Sequence, residues 1–232
     1  MGIYNSVPLE TSVAPGETID ISVDLHAPAI PGTYKGNFKL RDYRFNRFGT
    51  GLNTNNPIWV QIEVQGTQQI AYDFIENVCN ATWISSAGQL ACPSQEGDAQ
   101  GYVLTVRNPV LENGVMDARA AILVGPQDIE NGYTIGIFPE YTVQSGDRFQ
   151  TTISCKNDAR DCYVVFRLDY QIGFGAIQTI SAYLERYEGL SYTVDVDLSF
   201  LAGQDVKFVL TIFTAGVPTD DAALWITPRI VR

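Results

Sequence analysis

Between Thr18 and Leu25 every second residue is apolar. Ile19, Ile21, Val23 and Leu25 fall on one side, Thr18, Asp20, Ser22 and Asp24 on the other. Extended chain with that period puts its apolar side chains on one face, whereas a helix would scatter them. Pro15-Gly16 just ahead is a turn signal. The stretch therefore predicts a half-buried antiparallel strand. The same alternation returns in Tyr34–Leu40, Val60–Val64, Val164–Tyr170, Tyr192–Leu198 and Val206–Ile212. The chain is expected to be all-β, built as two tandem β-sandwiches.

Composition bears on what such sandwiches can do. With 232 residues the chain can bury a real core in one domain or two. A formal net charge of −11 excludes the basic patches that nucleic acid requires and disfavours anionic membranes. No apolar stretch approaches the length of a membrane-spanning helix. Thr179–Leu190 superficially resembles an amphipathic helix, but Tyr183, Tyr187 and Gly189 suit a strand and turn as well.

Four cysteines fall into two local pairs, Cys79 with Cys92 and Cys155 with Cys162. Zinc would want tighter Cys-x-x-Cys spacing and histidine, and the one histidine, His26, stands next to Ala27-Pro28. Two short-loop disulfides are the favoured reading, with buried thiols as the alternative. Disulfides imply an oxidising compartment outside the cell. Met1-Gly2-Ile3-Tyr4 lacks the basic head and apolar run of an export signal, so such a signal is expected upstream.

Residues 1–66 read as one unit and 70–232 as another, joined by the polar Gln65–Gln69. In the first unit, Pro15-Gly16-Glu17-Thr18, Ala27-Pro28, Pro31-Gly32-Thr33-Tyr34, Phe38–Arg41, Phe48-Gly49 and Trp59–Ile62 follow one another in order. Together they resemble the C-terminal half of the four-tryptophan immunoglobulin-like domain of autophagy cargo receptors and bacterial surface proteins. Phe38 stands where that family usually has tryptophan, and the family's N-terminal half has no counterpart. The resemblance implies an incomplete sandwich, open to a strand from another molecule.

The second unit carries many short alternating runs. Phe149–Cys155 and Cys162–Tyr170 are predicted to pair as a hairpin whose tip is clamped by Cys155–Cys162. Val143–Phe149, Val196–Val206 and Thr219–Trp225 resemble the galactose-binding-type jelly rolls of secreted bacterial proteins. That resemblance implies a jelly roll without catalysis, and possible structural calcium in the acidic loop at Asp220 and Asp221.

Enzyme chemistry finds little support. No nucleophile has a matching histidine base, and no phosphate-cradling loop occurs. Asp195 and Asp197, two apart on one strand, read as a solvated outer face rather than a cation site. Exposed aromatics stack on sugar rings, so Trp83, Tyr102, Tyr133, Phe138 and Tyr141 are candidate glycan or partner contacts. Asn131–Tyr141 is expected to be an aromatic loop, while Trp59 and Trp225 are assigned to packing. Asn80-Ala81-Thr82 fits a glycosylation sequon. The expected protein is non-catalytic and extracellular: a structural or adhesive surface module, self-associating or meeting other surface proteins. A carbohydrate-binding module, which could be a fragment of a larger secreted hydrolase, is the alternative.

Overall fold

The computed structural model describes residues 8–9, 11–25, 32–64 and 68–232. The chain divides into two compact units, residues 1–67 and 68–232. In the first, β1 (Gly32–Phe38) pairs antiparallel with β4 (Ile58–Val64), and β2 (Leu40–Arg41) with β3 (Arg47–Phe48). His26, Ala27-Pro28, Pro31 and most of the predicted linker lie outside the described residues. Gln69 exchanges two main-chain hydrogen bonds with Arg232, which ties it to the second unit.

Two expectations for the first unit are corrected. Pro15-Gly16 does turn, with Gly16 at φ +90° and the Glu17 N–H on the Ala14 carbonyl. The alternating stretch after it joins no strand pair among the described residues, and Ile19, Ile21 and Val23 stay exposed. Alternation creates an apolar face, but a strand also needs a neighbour for its main-chain hydrogen bonds. Trp59 is 57% exposed instead of packed. It sits at the outer surface of β4, with the Lys35 ammonium 4.4 Å from its ring centre.

The second unit is a β-sandwich of two antiparallel sheets. Its strands are β5 (Ile70–Asp73), β6 (Thr82–Ser85), β7 (Gly88–Gln89), β8 (Tyr102–Val106), β9 (Ala121–Gly125) and β10 (Tyr133–Thr142). β11 (Arg148–Cys155), β12 (Tyr163–Ile172), β13 (Gln178–Arg186), β14 (Tyr192–Asp197), β15 (Asp205–Thr214) and β16 (Ala223–Val231) complete it. One sheet runs β13-β12-β15-β10-β6-β7; the other runs β14-β11-β16-β9-β8, with β5 also on β16.

The core lies between the sheets, where each strand turns alternate residues inward. Phe166, Phe208, Phe149 and Trp225 are buried there, with Phe166 and Trp225 edge-to-face at 4.8 Å. Phe74 sits centrally, its ring centre 4.8 Å from Phe138 and 5.4 Å from Phe149. T-shaped pairs of this kind add to the area they bury.

The predicted 149–170 hairpin does not form. β11 pairs with β14 and β16, whereas β12 pairs with β13 and β15. The segment between them crosses from one sheet to the other. The Cys155–Cys162 bridge therefore staples the two sheets together instead of clamping a hairpin tip. The Cys79–Cys92 bridge ties the turn after β5 to the loop before β8. Thr179–Leu190 is strand and turn, with Gly189 at φ +80°.

Candidate functional site

The face of the β13–β7 sheet turned away from the core is built from the residues that alternate with the buried ones. Strand register aligns them in rows. Leu184, Val165, Phe213 and Tyr133 form one; Ala182, Arg167, Thr211, Ile135 and Ile84 the next; then Asp169, Val209 and Ile137; then Gln171, Lys207 and Glu140. The first three rows are mainly apolar or aromatic, with a polar centre at Arg167, Asp169 and Thr211.

That centre is ordered by its own contacts. Arg167 Nε donates to Asp169 Oδ2 at 2.7 Å, and Thr211 Oγ1 donates to the same oxygen at 3.2 Å. The guanidinium lies 4.6 Å from the ring centre of Phe213, whose ring meets Tyr133 at 6.1 Å and 52°. Asp169 and Thr211 are fully buried, while the Arg167 side chain stays 31% exposed. Asp169 Oδ1 has no hydrogen-bond partner among the described residues. Among the described residues only Nε of Arg167 is engaged, which leaves its two Nη groups as donors on a part-exposed side chain. A guanidinium held by a carboxylate and stacked on an aromatic ring is a preorganised planar donor. Beside it, the β12–β13 turn carries a fully exposed Phe174, with Lys207 Nζ 5.7 Å from its ring centre.

Of the aromatics predicted from sequence to contact a ligand, only Tyr133 lies on this face. Asn131–Tyr141 is not a loop: Tyr133 onward is β10, a strand inside the sheet. Its alternation sends Phe138 inward, and Phe138 and Trp83 are each 1% exposed, 5.9 Å apart between ring centres. Neither offers a face to a sugar, and Tyr102 is buried as well. Tyr141 lies past a bulge, half-buried against Tyr72, and donates its hydroxyl to Asp147 at 2.7 Å. Burial and Asp147 push the Tyr141 phenol up to about 12. Burial pulls the Asp147 carboxyl upward, but Arg232, the Gln144 N–H and Tyr141 outweigh it and hold it below the ordinary carboxylate value.

Asp220 and Asp221 gather no third metal-ligating side chain among the described residues. Asp221 is buried and its Oδ1 accepts the Tyr163 N–H at 2.9 Å. Burial, with Asp128 and Asp220 nearby, pushes its carboxyl up to about 6. Asp195 and Asp197 sit on the outer side of β14; Asp195 pairs with Arg148 at 2.7 Å and Asp197 accepts from Ser199.

Two clefts lie away from this face. One, of about 310 Å³, is lined by Val106, Pro109, Val110, Asn157 and Leu224, with Lys156 tied to Glu96 and Asp158. The other, of about 400 Å³, lies beside Tyr141 and Arg232. In both, the charged groups satisfy one another, unlike the Nη donors of Arg167, which have no partner among the described residues.

Sequence reasoning passed over Arg167, Asp169, Thr211 and Phe213. A signal was available, since aspartate is depleted within strands and Asp169 sits in the alternating run Val164–Tyr170.

Residues 3–64 match the family described as the Ig-like domain from next to BRCA1 gene. No curated protein matches the chain. Among solved structures, the chain is similar to carbohydrate-binding modules of the β-sandwich superfamily described for promiscuous specificity. Identity there is 10%, covering 88% of this chain and 75% of that one, with a TM-score of 0.50. It is also similar to CBM51-2 with INT domains of Clostridium perfringens ZmpB, solved with GlcNAc, at 12% identity and TM-score 0.44. That match covers 89% of this chain, which spans only 39% of the other. At 10% identity the first of these likenesses shows the β-sandwich fold alone.

Proposed function

We propose that residues 70–232 are a carbohydrate-binding module, of the galactose-binding jelly-roll type, that takes its ligand on the outer face of the β13–β7 sheet. The observation that carries this reading is the part-exposed Arg167, anchored by the buried Asp169, with two Nη groups that have no partner among the described residues. A sugar hydroxyl accepts hydrogen bonds as well as donating them, so neighbouring hydroxyls match a fixed donor fork. Tyr133 and Phe213 supply apolar ring surface next to that pair. Because the two rings are tilted and not coplanar, the face suits a single glycan chain or terminal sugar more than a flat crystalline surface. The β-sandwich carbohydrate-binding modules among the similar structures support the same reading.

A glycan array followed by calorimetric titration tests it. Arg167→Ala is expected to weaken binding by about 10- to 100-fold, the worth of a charge-assisted hydrogen-bonding group. Tyr133→Ala is expected to weaken it as well. An array without a hit, or Arg167→Ala binding like wild type, sinks the reading.

The module works outside the cell and carries no catalysis of its own. Its two disulfides suit an oxidising compartment, and a bacterial surface is the proposed setting. The first unit, residues 1–66, is proposed to be a protein-contact module related to the four-tryptophan immunoglobulin-like domain. The observation favouring that second reading is a two-stranded β1–β4 sheet in which β4 pairs with no strand other than β1 among the described residues. Such an edge accepts an added strand from another copy or another surface protein. Light scattering on the whole chain tests the self-association part: a clean monomer at all concentrations removes it.

A further inference from the structure

Glu112 and Glu185, far apart in sequence, meet beside the Cys155–Cys162 bridge that joins the sheets. Glu185 is 1% exposed and Glu112 4%. Glu185 lies on the inward side of β13, an edge strand, directly opposite Val164 of β12. Glu112 lies in the loop between β8 and β9. One carboxylate oxygen of each and the Cys155 sulfur lie within 4.8 Å of one another. Cys155 is bridged to Cys162 and does not titrate.

The groups packed around the pair bring it no positive charge. The turn after β13 adds a third carboxylate, Glu188, which accepts the Tyr192 hydroxyl of β14 and lies 3.7 Å from the exposed Arg186. Tyr187 of the same turn donates its hydroxyl to the Asn157 carbonyl. Lys156, just past β11, is held by Glu96 and Asp158. The two carboxyls differ in what supports a charge on them. Glu112 Oε1 accepts the main-chain N–H groups of Leu190 and, more distantly, Glu188. Glu112 Oε2 and both oxygens of Glu185 have no hydrogen-bond partner among the described residues. Two carboxyls that share a buried site without a cation do not both ionise, and the one with fewer donors keeps its proton. Here that one is Glu185.

We propose that the proton held on Glu185 beside Glu112 is a latch that keeps edge strand β13 closed on the sandwich, and that its release as pH rises opens that strand. With the proton in place a neutral carboxyl faces a carboxylate, and Glu112 Oε2 is the acceptor on hand. Without it, two charges that no cation offsets stand together in a buried site, where they repel and lack hydration. β13 is the element that gives way. It pairs on one side only, with β12, so it opens without unmaking the central strands. It also carries Ala182 and Leu184 at the rim of the sheet's outer face. Burial, with Glu112 and Glu188, pushes the Glu185 carboxyl up to about 8, against an opposing effect of the Cys155 main chain. Burial raises the Glu112 carboxyl as well, and there the Leu190 and Glu188 N–H groups oppose it.

Hydrogen exchange on the whole chain, read amide by amide from about pH 6.5 to about pH 7.5, tests the latch. That window lies above the titration of Asp221, whose carboxyl is pushed up to about 6. Closed β13 keeps a proton on Glu185 that the opened strand releases, because the folded value lies above the ordinary 4.5. Each pH unit is therefore expected to lower the protection of the hydrogen-bonded β13 amides by up to about tenfold, beyond the intrinsic change in exchange rate. Amides of β9 and β16 are expected to stay better protected throughout. Glu185→Gln keeps the shape and has no proton to lose, so it is expected to abolish the pH dependence in β13. Wild-type β13 protection that is flat with pH overturns the proposal without any variant. β13 amides that exchange together with those of β16 overturn it by making the opening global. A pH dependence that survives in Glu185→Gln overturns it too, by placing the titrating group elsewhere.

Discussion

Gly136 offers a sharp test of how the core is seated. It lies in β10 directly opposite Trp83 of β6. A Cβ at this position would meet Cη2, Cζ3 and Cζ2 of the indole at 2.5, 2.6 and 2.7 Å. Carbon atoms rest at about 3.5–4.0 Å, so the ring would have to retreat by about 1 Å. It has little room to do so. The indole N–H donates to the Val78 carbonyl at 2.7 Å, and the ring is 1% exposed against Phe138. Overpacking costs about 1–3 kcal/mol, and three simultaneous clashes with a pinned ring put Gly136→Ala at about 2–3 kcal/mol. For a domain of this size that lowers Tm by about 5–10 °C. Calorimetry with near-ultraviolet circular dichroism on Gly136→Ala, Trp83→Phe and the double variant measures it. The smaller ring of the double variant makes room, so the two effects are expected to be less than additive by about 1 kcal/mol or more. If Gly136→Ala melts within 1 °C of wild type, taken as about the resolution of the scan, the account of Trp83 seated on a glycine is refuted.

Other consequences follow from the same packing and charges. Replacing both cysteines of a bridge by alanine is expected to cost about 2 kcal/mol for Cys155–Cys162 and about 3 kcal/mol for Cys79–Cys92, because the second closes the longer loop; chemical denaturation checks the order. Asp221 should make stability fall as pH rises. Its carboxyl, near 3.8 ordinarily, is pushed up to about 6 in the folded chain, so between those values the native state keeps a proton that the unfolded chain has released. The loss is at most about 3 kcal/mol, and Asp221→Asn is expected to flatten that slope in denaturation curves taken from pH 4 to pH 7. Asp147 acts in the opposite sense, since its depressed carboxyl stabilises the fold until pH falls below the ordinary carboxylate range. Asp147→Ala strands Arg232, Tyr141 and the Gln144 N–H, and is expected to cost about 3 kcal/mol, read as a drop in Tm at pH 7.

Much of the strand content was legible because alternation is a local property. Val164–Tyr170 and Val206–Ile212 are strands with the inward residues that their period implies. Which strand lies beside which is not local. β11 and β12 follow one another closely, and alternation says that each turns apolar residues inward, without saying that they belong to opposite sheets. For the same reason the opening Ile19–Leu25 run carries the pattern of a strand without a partner among the described residues.

The candidate site shows the same division. Cysteine spacing anticipated both bridges. Aromatic residues were visible as possible contacts, but whether a ring points to solvent depends on strand phase. One residue of phase separates Tyr133 on the outer face from Thr134, buried within the sandwich. Arg167, Asp169, Thr211 and Phe213 become one surface only because β12 and β15 pair in a particular register. The sequence by itself determined the periodicity, the charge and the crosslinks, which depend on neighbours along the chain. The tertiary structure alone decided the sites, because hydrogen-bond register and sheet order bring together residues that no sequence interval connects.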